Sequence, residues 1–259
     1  MSGGFLELNA VYVIVAREFK KFIREKSRLF SALARPLLWL FIVGAGISRL
    51  VPDESGVPYT QFIFPGILGM TILFSSIFSS ISIIWDKEFG FMKEILVAPV
   101  SRFSIVIGKA LSGTIVSTIQ AVIILALFPF LGLKLGIIQL IEAIIICATL
   151  SFCISAFGIV IATFYESYES FSVIMNFIIM PMFFLSGAMY PVKMLPPVLQ
   201  FISKLNPLTY GIDAIKHVIL PSIGGRMTPD FSFKTSLAVI IFTSIIFVFF
   251  GAKAFERKD

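Results

Sequence analysis

One short segment of this chain holds most of the side chains that could bind another molecule. It runs from Asp86 to Ser104 and carries six charged residues. Residues 55–85 before it, and residues 110–133 beyond Lys109, contain no Asp, Glu, Lys or Arg. A charged segment between two apolar runs is typical of a loop outside a lipid bilayer, where other molecules can reach it. We call residues 86–104 the charged segment.

The rest of the sequence offers little catalytic chemistry. It contains no G-x-x-x-x-G-K-[ST] phosphate-binding loop, so the chain does not bind ATP by that motif. His217 is the single histidine, and we interpret it as an interfacial polar residue rather than a metal ligand. Cys147 and Cys153 are expected to be reduced thiols packed within one helix. No pattern indicates a nucleophile next to a base.

The composition predicts that membrane-spanning helices position the charged segment. Of the 259 residues, 58% are hydrophobic and 14% are charged, whereas soluble domains carry about 25% charged residues. A spanning helix needs roughly 20 apolar residues, because lipid cannot satisfy backbone hydrogen bonds. Six runs meet this requirement, namely 29–48, 61–85, 105–131, 138–163, 170–190 and 236–252. The predicted fold class is therefore an all-α membrane protein with six transmembrane helices, in a domain over residues 29–259.

The positions of Lys and Arg predict the orientation of these spans. Residues 1–28, 86–109 and 253–259 together hold 13 of the 21 basic residues. Since basic residues favour the cytoplasmic side and six spans return the chain to its starting side, both termini are predicted to be cytoplasmic. The net charge of +6 then reflects this topology and contact with anionic lipid, and it does not indicate nucleic-acid binding.

Residues 1–28 are predicted to form an amphipathic helix at the cytoplasmic interface. Apolar side chains recur at helical spacing between basic ones, at Leu8, Tyr12, Val15, Phe19 and Phe22. The alternative is a solvated helix without a membrane role.

Ionisable residues inside the membrane would indicate a carrier that works alone. Ion-coupled carriers place such residues inside the membrane, and the candidates here are Arg35 and Glu142. Both lie near the end of a span, where a long side chain can reach the interface. We therefore expect any energy that the protein uses to come from another chain.

The outer segment, residues 191–235, separates the fifth and sixth predicted spans. Its apolar runs 194–205 and 208–220 are too short to span a bilayer, so we predict re-entrant or interfacial helices. The pair Asn206-Pro207 should break the chain between them.

The charged segment has the composition of a protein interface. Gly90 permits a change of direction, and residues 91–97 can form a short helix. Its apolar side chains are surrounded by charges, which is typical of a docking surface. The alternative is a loop packed against lipid headgroups.

Two longer patterns resemble the ABC transporter type-2 permease family. The first is DKEFGFMKEILVAPVSR over residues 86–102, followed by Gly108-Lys109, and it looks like the inner-loop signature of that family. The second is FLSGAMYP over residues 184–191, continuing through Leu195-Pro196 to NPLTYGIDA over residues 206–214. With the six-span layout, the resemblance covers nearly the whole chain. Members of the family often have Arg where this chain has Lys87, and Gly-Thr where it has Phe91-Met92.

The resemblance implies the transmembrane subunit of an ABC exporter. Such subunits form homodimers or pseudo-dimers in the bacterial or archaeal plasma (inner) membrane, and they pair with cytoplasmic ATPase subunits that bind ATP and Mg. This chain would hold no cofactor and would not be an enzyme by itself. Family substrates range from drugs and antibiotics to lipid-linked glycans.

The resemblance also implies roles for two sets of residues. The amphipathic helix over residues 1–28 and the charged segment would dock on the ATPase, and Glu88 and Glu94 would pair with basic groups of the ATPase. The expected docking residues are Asp86, Lys87, Glu88, Phe89, Phe91, Met92 and Glu94. The outer segment would close the external side of the path, and its expected residues are Ser186, Gly187, Pro191, Asn206, Pro207, Tyr210 and Asp213.

The alternative function is a stand-alone carrier, either ion-driven or passive, for which Glu142 is the nominated ionisable group. A membrane assembly factor without transport activity has no positive support in the sequence. A neighbouring reading frame for an ATPase with a phosphate loop would favour the exporter.

Overall fold

The computed structural model describes residues 6–25, 33–48, 58–97, 100–220 and 229–256, which are helical apart from turns and short connections. Parts of four predicted elements lie outside the described residues: 1–5 and 26–28 of the amphipathic helix, 29–32 of the first span, 98–99 of the charged segment and 221–228 of the outer segment. The helices are α1 (Leu8–Arg24), α2 (Leu33–Ser48), α3 (Tyr59–Glu88), α4 (Phe91–Val97), α5 (Arg102–Leu125), α6 (Ile137–Phe164), α7 (Tyr168–Phe184), α8 (Pro197–Leu205), α9 (Pro207–Ile219) and α10 (Phe233–Glu256).

Within the described residues, four helices are long and apolar enough to cross a membrane. They are α3, α5, α6 and α10, which coincide with four of the six predicted spans. The other two predicted spans correspond to α2 and α7, which are apolar but shorter. The predicted all-α membrane class is therefore confirmed.

Two prolines mark where helices change or end. After α5 ends at Leu125, a 3₁₀ turn over Phe128–Leu131 contains Pro129, within the predicted third span. Pro181 lies in the last turn of α7, which ends at Phe184 rather than at residue 190. Because proline cannot donate a backbone hydrogen bond, both positions favour a helix end nearby.

Helix α3 forms the centre of the bundle. In its most apolar 18-residue window, 83% of the residues are buried, and the helix packs chiefly against α5 and α6. Small residues allow these contacts: a Cβ on Gly158 of α6 would overlap Ser80, and one on Gly113 of α5 would meet Ser155 at 2.5 Å. In lipid the hydrophobic effect contributes little to helix association, so the van der Waals contacts that this close approach allows hold the helices together.

Helix α1 lies along the beginning of α5. Its Val11 is buried, and Ile14 comes within 3.1 Å of the Cβ position of Gly108. Several of its other apolar side chains are exposed, with Leu8 and Tyr12 more than 70% accessible. The amphipathic pattern thus leaves an apolar strip for lipid or for another protein.

The predicted loop over residues 86–104 is largely helical. Asp86, Lys87 and Glu88 form the end of α3, and residues 102–104 already belong to α5. The turn between α3 and α4 is at Gly90, whose φ of +80° is the left-handed conformation that glycine adopts without steric cost. The charged segment is therefore a helix–turn–helix corner, which fixes its side chains more firmly than a loop would.

Candidate functional site

An ion-pair cluster joins α1, α3 and α5 at the end of the bundle that carries the charged segment. The carboxylate of Asp86 accepts hydrogen bonds from Arg17 Nη2 at 2.6 and 2.9 Å and from Lys109 Nζ at 2.5 Å. Lys109 also donates to Glu18 Oε1 at 2.7 Å and to Ser82 Oγ at 3.1 Å. We call these five residues the inner charge network.

The network balances two cations with two carboxylates. The side chain of Lys109 is only 3% exposed and that of Asp86 9%, and charges this deeply buried are stable only when they are paired and hydrogen-bonded. Arg17 is half exposed. Burial lowers the pKa of Arg17, but the neighbouring Asp86 and Glu18 carboxylates outweigh it and raise that pKa above its ordinary value. Helix α1 is thus held by charged hydrogen bonds.

Lys87 and Glu88 hold the ends of two other helices. Lys87 Nζ donates to the carbonyl oxygens of Ala162, Thr163 and Tyr165 at 2.8–3.0 Å, at the end of α6. Since the last carbonyls of a helix lack partners within it and carry partial negative charge, a cation there is favourable. Glu88 Oε1 accepts a hydrogen bond from the backbone N–H of Tyr168, which begins α7.

The expected docking residues fall into two groups. Asp86, Lys87 and Glu88 bind partners within the chain, and Met92 is only 5% exposed. The other three residues, Phe89, Phe91 and Glu94, are exposed.

The exposed residues lie beside a groove between α1, α4 and the start of α5. The groove has a volume of about 430 Å³ and is lined by apolar residues such as Val13, Ile95 and Ile105. Phe91 on α4 is 52% exposed and Phe89 72%. We call α4, Phe89 and this groove the docking corner.

In the outer segment, Asn206 is shared by two helices. It ends α8 and caps α9, where its side-chain Oδ1 accepts from Leu208 N at 3.0 Å and its Nδ2 donates to Met182 O at 2.7 Å. Pro207 occupies the first position of α9, where the missing N–H costs nothing. The predicted break at Asn206-Pro207 thus lies where the two helices meet.

Helix α9 is buried almost along its whole length. Its Gly211 allows Leu150 of α6 to approach, and Gly69 of α3 allows Ile212 to approach. Tyr210 is buried, and its hydroxyl donates to Lys204 O at 2.9 Å. The chain therefore enters the bundle at this point rather than lying on its surface.

The turn before α8 is fixed by hydrogen bonds and by glycine. Ser186 Oγ donates to Phe183 O at 2.5 Å, and Gly187 has a φ of +73°. Pro191 precedes a 3₁₀ turn over Val192–Met194.

Asp213 connects α9 to the start of α10. Its carboxylate accepts hydrogen bonds from the backbone N–H groups of Asp230 and Phe231 and from Ser236 Oγ. Asp230 in turn accepts from Val192 N at 3.0 Å. The residues expected in the outer segment are thus brought together around α9.

The structure contains buried charges that the sequence pattern does not indicate. Lys109 lies inside the predicted third span. The sequence feature that could have singled it out is the pair Gly108-Lys109, which belongs to the first family pattern. Lys216 of α9 is 2% exposed, donates to Gly187 O at 2.6 Å and lies 4.5 Å from the centre of the Phe62 ring. Arg35 and Glu142, the sequence candidates, are both exposed.

Comparison with known proteins identifies relatives over most of the chain. Residues 9–220 match the family model described as "ABC-2 type transporter". A transport permease named ycf38 from Cyanophora paradoxa is 34% identical over 245 residues, which cover 93% of this chain and 82% of that protein. Nodulation protein J from Rhizobium meliloti (strain 1021) is 28% identical over 200 residues, covering 73% of each chain.

Proposed function

Because the chain belongs to the ABC-2 type transporter family, whose members are multi-pass membrane transport permeases, we propose that it is the transmembrane subunit of an ATP-driven exporter. Two separate ATPase subunits bind ATP and Mg, and their closure moves the helices of this chain. The chain contributes no catalytic residue and holds no cofactor of its own.

The observation that carries this proposal is the position of the docking corner next to the inner charge network. Helix α1 is bonded through Arg17 and Glu18 to Asp86 of α3 and Lys109 of α5. A push on α1 from the cytoplasmic side therefore reaches the central helix of the bundle through short charged hydrogen bonds. A push on α4 reaches the same helix through the turn at Gly90.

The exposed members of the charged segment make the contact with the ATPase. Phe89 and Phe91 are the apolar anchors and Glu94 is the charge at their edge, since these side chains are accessible. Glu88 is assigned a structural role instead, because its carboxylate already accepts a hydrogen bond from the backbone N–H of Tyr168. This division narrows the docking set predicted from sequence to Phe89, Phe91 and Glu94.

Two copies of the chain pair through α2 and α7, which complete a six-span topology. These apolar helices are adjacent, with the Trp39 and Phe183 ring centres 5.9 Å apart. Helix α7 exposes an apolar stripe at helical spacing, formed by Val173, Phe177, Met180 and Phe184. A second copy would cover this face, and the path of the transported substrate would lie between the two copies.

The charge distribution supports an orientation with both termini in the cytoplasm of a bacterial or archaeal cell, in its plasma membrane. Helices α8 and α9 then close the outer side. The apolar character of the α2–α7 face suits an amphiphilic cargo, whether a lipid, a glycolipid or a drug-like molecule.

Reconstitution with the ATPase tests the proposal. The chain would be co-expressed with a candidate ABC ATPase subunit from the same genome, purified as a complex and placed in lipid vesicles. We expect a stable complex whose ATP hydrolysis depends on this chain. Failure of the chain to bind that ATPase, with both proteins folded, would contradict the proposal.

The stand-alone carrier remains the second candidate, supported by the buried Lys216 and Asp213 of α9. Such residues can bind an ion or a proton inside a membrane protein. Transport by the purified chain in vesicles without any ATPase, lost in Lys216→Met, is the result that would favour this carrier over the exporter.

A further inference from the structure

A cavity of about 530 Å³ opens at the end of the bundle opposite the inner charge network. It lies between α6, α9 and α10. Its polar lining residues are Gln139, Glu142 and His217, and its apolar lining includes Ile145, Phe233 and Leu237. The proposed exporter does not use this cavity, and Glu142 is the one lining residue that the sequence nominated for a stand-alone carrier.

The polar groups lie close to the start of α6, at one end of a helix long enough to span a bilayer. Glu142 is five residues beyond the start of α6 at Ile137, which corresponds to about 7.5 Å of helical rise. The headgroup region on each side of a bilayer is about 5–7.5 Å thick, since the hydrocarbon core measures about 30 Å and the whole bilayer about 40–45 Å. Ile145 is a further helical turn inside. The cavity is thus polar at the headgroup level and apolar below it.

The side of the cavity faces lipid. Helix α6 exposes Ile138, Ile141 and Ile145, each at least 53% accessible. In the most apolar 18-residue stretch of α10, only 28% of the residues are buried. A ligand with an acyl chain can therefore enter from the bilayer, whereas a small water-soluble ligand would leave the apolar part of the cavity unfilled.

The charges of the lining select the headgroup. The Glu142 carboxylate is exposed and forms no hydrogen bond or ion pair with the residues that the structure describes. Among the residues that the structure describes, none that lines the cavity is Lys or Arg. His217 Nε2 lies 2.8 Å from Phe231 O and 3.6 Å from an oxygen of Asp213, so Asp213 already faces any positive charge on this ring.

These groups suit hydroxyl donors better than a phosphate. A phosphate here would face the Glu142 carboxylate, and the described lining offers no Lys or Arg to neutralise it, which is unfavourable. Sugar hydroxyl groups donate to a carboxylate and exchange hydrogen bonds with an amide such as Gln139. Charge-assisted hydrogen bonds of this kind are also stronger than neutral ones.

We propose that this cavity binds a neutral glycolipid of the leaflet farther from the inner charge network. The sugar headgroup hydrogen-bonds to Glu142 and Gln139, and an acyl chain lies along Ile145 and Leu237. The site is on α6, α9 and α10, away from the α2–α7 face, so the ligand is a bound membrane lipid and the site does not depend on coupling to an ATPase.

Competition between lipids of different headgroup tests this site. The purified chain would be mixed in detergent with monogalactosyl diacylglycerol, phosphatidylethanolamine and phosphatidylglycerol carrying the same acyl chains. Native mass spectrometry then counts the lipid that each variant retains. The variants are Glu142→Ala, Glu142→Gln, Leu237→Trp to fill the cavity, and Glu169→Ala, which removes an exposed carboxylate at the opposite end of the bundle.

We expect the galactolipid to be retained in preference to both phospholipids. Glu142→Ala should lower its retention about tenfold, since a hydrogen bond to a charged group is lost. Glu142→Gln should lower it less because an amide oxygen still accepts, Leu237→Trp should abolish preferential retention, and Glu169→Ala should leave it unchanged.

Three results would each overturn the proposal. One is equal retention of the three lipids by the unmodified chain. Another is a preference for phosphatidylethanolamine that Glu142→Ala and Glu142→Gln abolish equally, since the carboxylate would then recognise an ammonium ion. The third is galactolipid retention that survives Glu142→Ala or Leu237→Trp, or that falls equally in Glu169→Ala.

Discussion

Lys109 of α5 and Asp86 of α3 form a buried ion pair, with Lys109 Nζ 2.5 Å from Asp86 Oδ2. Both side chains are less than 10% exposed, and α1 reaches the same pair through Arg17 and Glu18. The pair therefore connects the amphipathic helix to the two spans behind it. Its rupture should affect both stability and coupling.

Asp86→Ala is expected to lower the stability of the purified protein. The change leaves the buried ammonium of Lys109 with only Glu18 and Ser82, and breaking a buried ion pair costs about 3–5 kcal/mol. The midpoint of thermal unfolding in detergent measures this loss. Glu169→Ala, which removes an exposed carboxylate, should leave the midpoint unchanged.

A double variant separates the pair from general damage at this site. Asp86→Asn combined with Lys109→Met removes both charges together, so it should be less destabilised than the sum of the two single variants. Strictly additive losses would mean that the two residues do not interact.

Phe91→Ala should weaken binding of the ATPase subunit without unfolding the chain. Truncating an apolar anchor at the centre of an interface costs about 2 kcal/mol or more, which is ~30-fold in Kd. The measurement is the Kd of the complex by titration of labelled ATPase. Phe130→Ala is the matched control, because Phe130 is 81% exposed in the 3₁₀ turn after α5, at the opposite end of the bundle. Equal losses in the two variants would argue against the docking corner.

Phe177→Ala should shift the chain from dimer to monomer. Phe177 is 76% exposed in the middle of the apolar stripe on α7, where the second copy is proposed to pack. The dimer fraction at fixed concentration can be read by native mass spectrometry. Phe242→Ala, on the exposed side of α10, removes a similarly accessible ring (65%) and should not change that fraction.

Gly211→Ala should destabilise the bundle where α9 enters it. A methyl group there would overlap the side chain of Leu150, and overpacking costs about 1–3 kcal/mol. Gly46 of α2 has no atom within 4 Å of its Cβ position, so Gly46→Ala should be neutral or slightly stabilising in the same thermal assay. A Gly211→Ala variant as stable as the unmodified chain would mean that α9 can move away from α6.

The sequence predicts the long helices well because each depends on the length of one continuous apolar run. Helices α3, α5, α6 and α10 coincide with apolar runs long enough to span a bilayer, and the break between α8 and α9 follows from Asn206-Pro207. Local patterns cannot show which residues meet across helices. Asp86 pairs with Arg17 and Lys109, which lie 69 and 23 positions away in the sequence. Its burial therefore depends on how distant helices pack, and the spacing of residues along the chain does not predict that packing.

The same limit applies to the candidate sites. Lys87 and Phe91 are equally plausible docking residues in the sequence, since both belong to one charged segment. Only the fold separates them, because α3 directs Lys87 towards the end of α6 while Phe91 points outward. Lys216 is similar: a lysine in a segment between predicted spans gives no sign that α9 is buried.

The three carbonyl oxygens that receive Lys87 have a consequence for variation among relatives. Carbonyl groups at the end of a helix require donors and positive charge, and they do not distinguish an ammonium from a guanidinium. Exchange of Lys for Arg at this position can therefore occur without any matching change in the ATPase. By contrast, the exposed Phe91 and Glu94 side chains form no hydrogen bond or ion pair with the residues that the structure describes. If they contact an ATPase as proposed, they can diverge together with it.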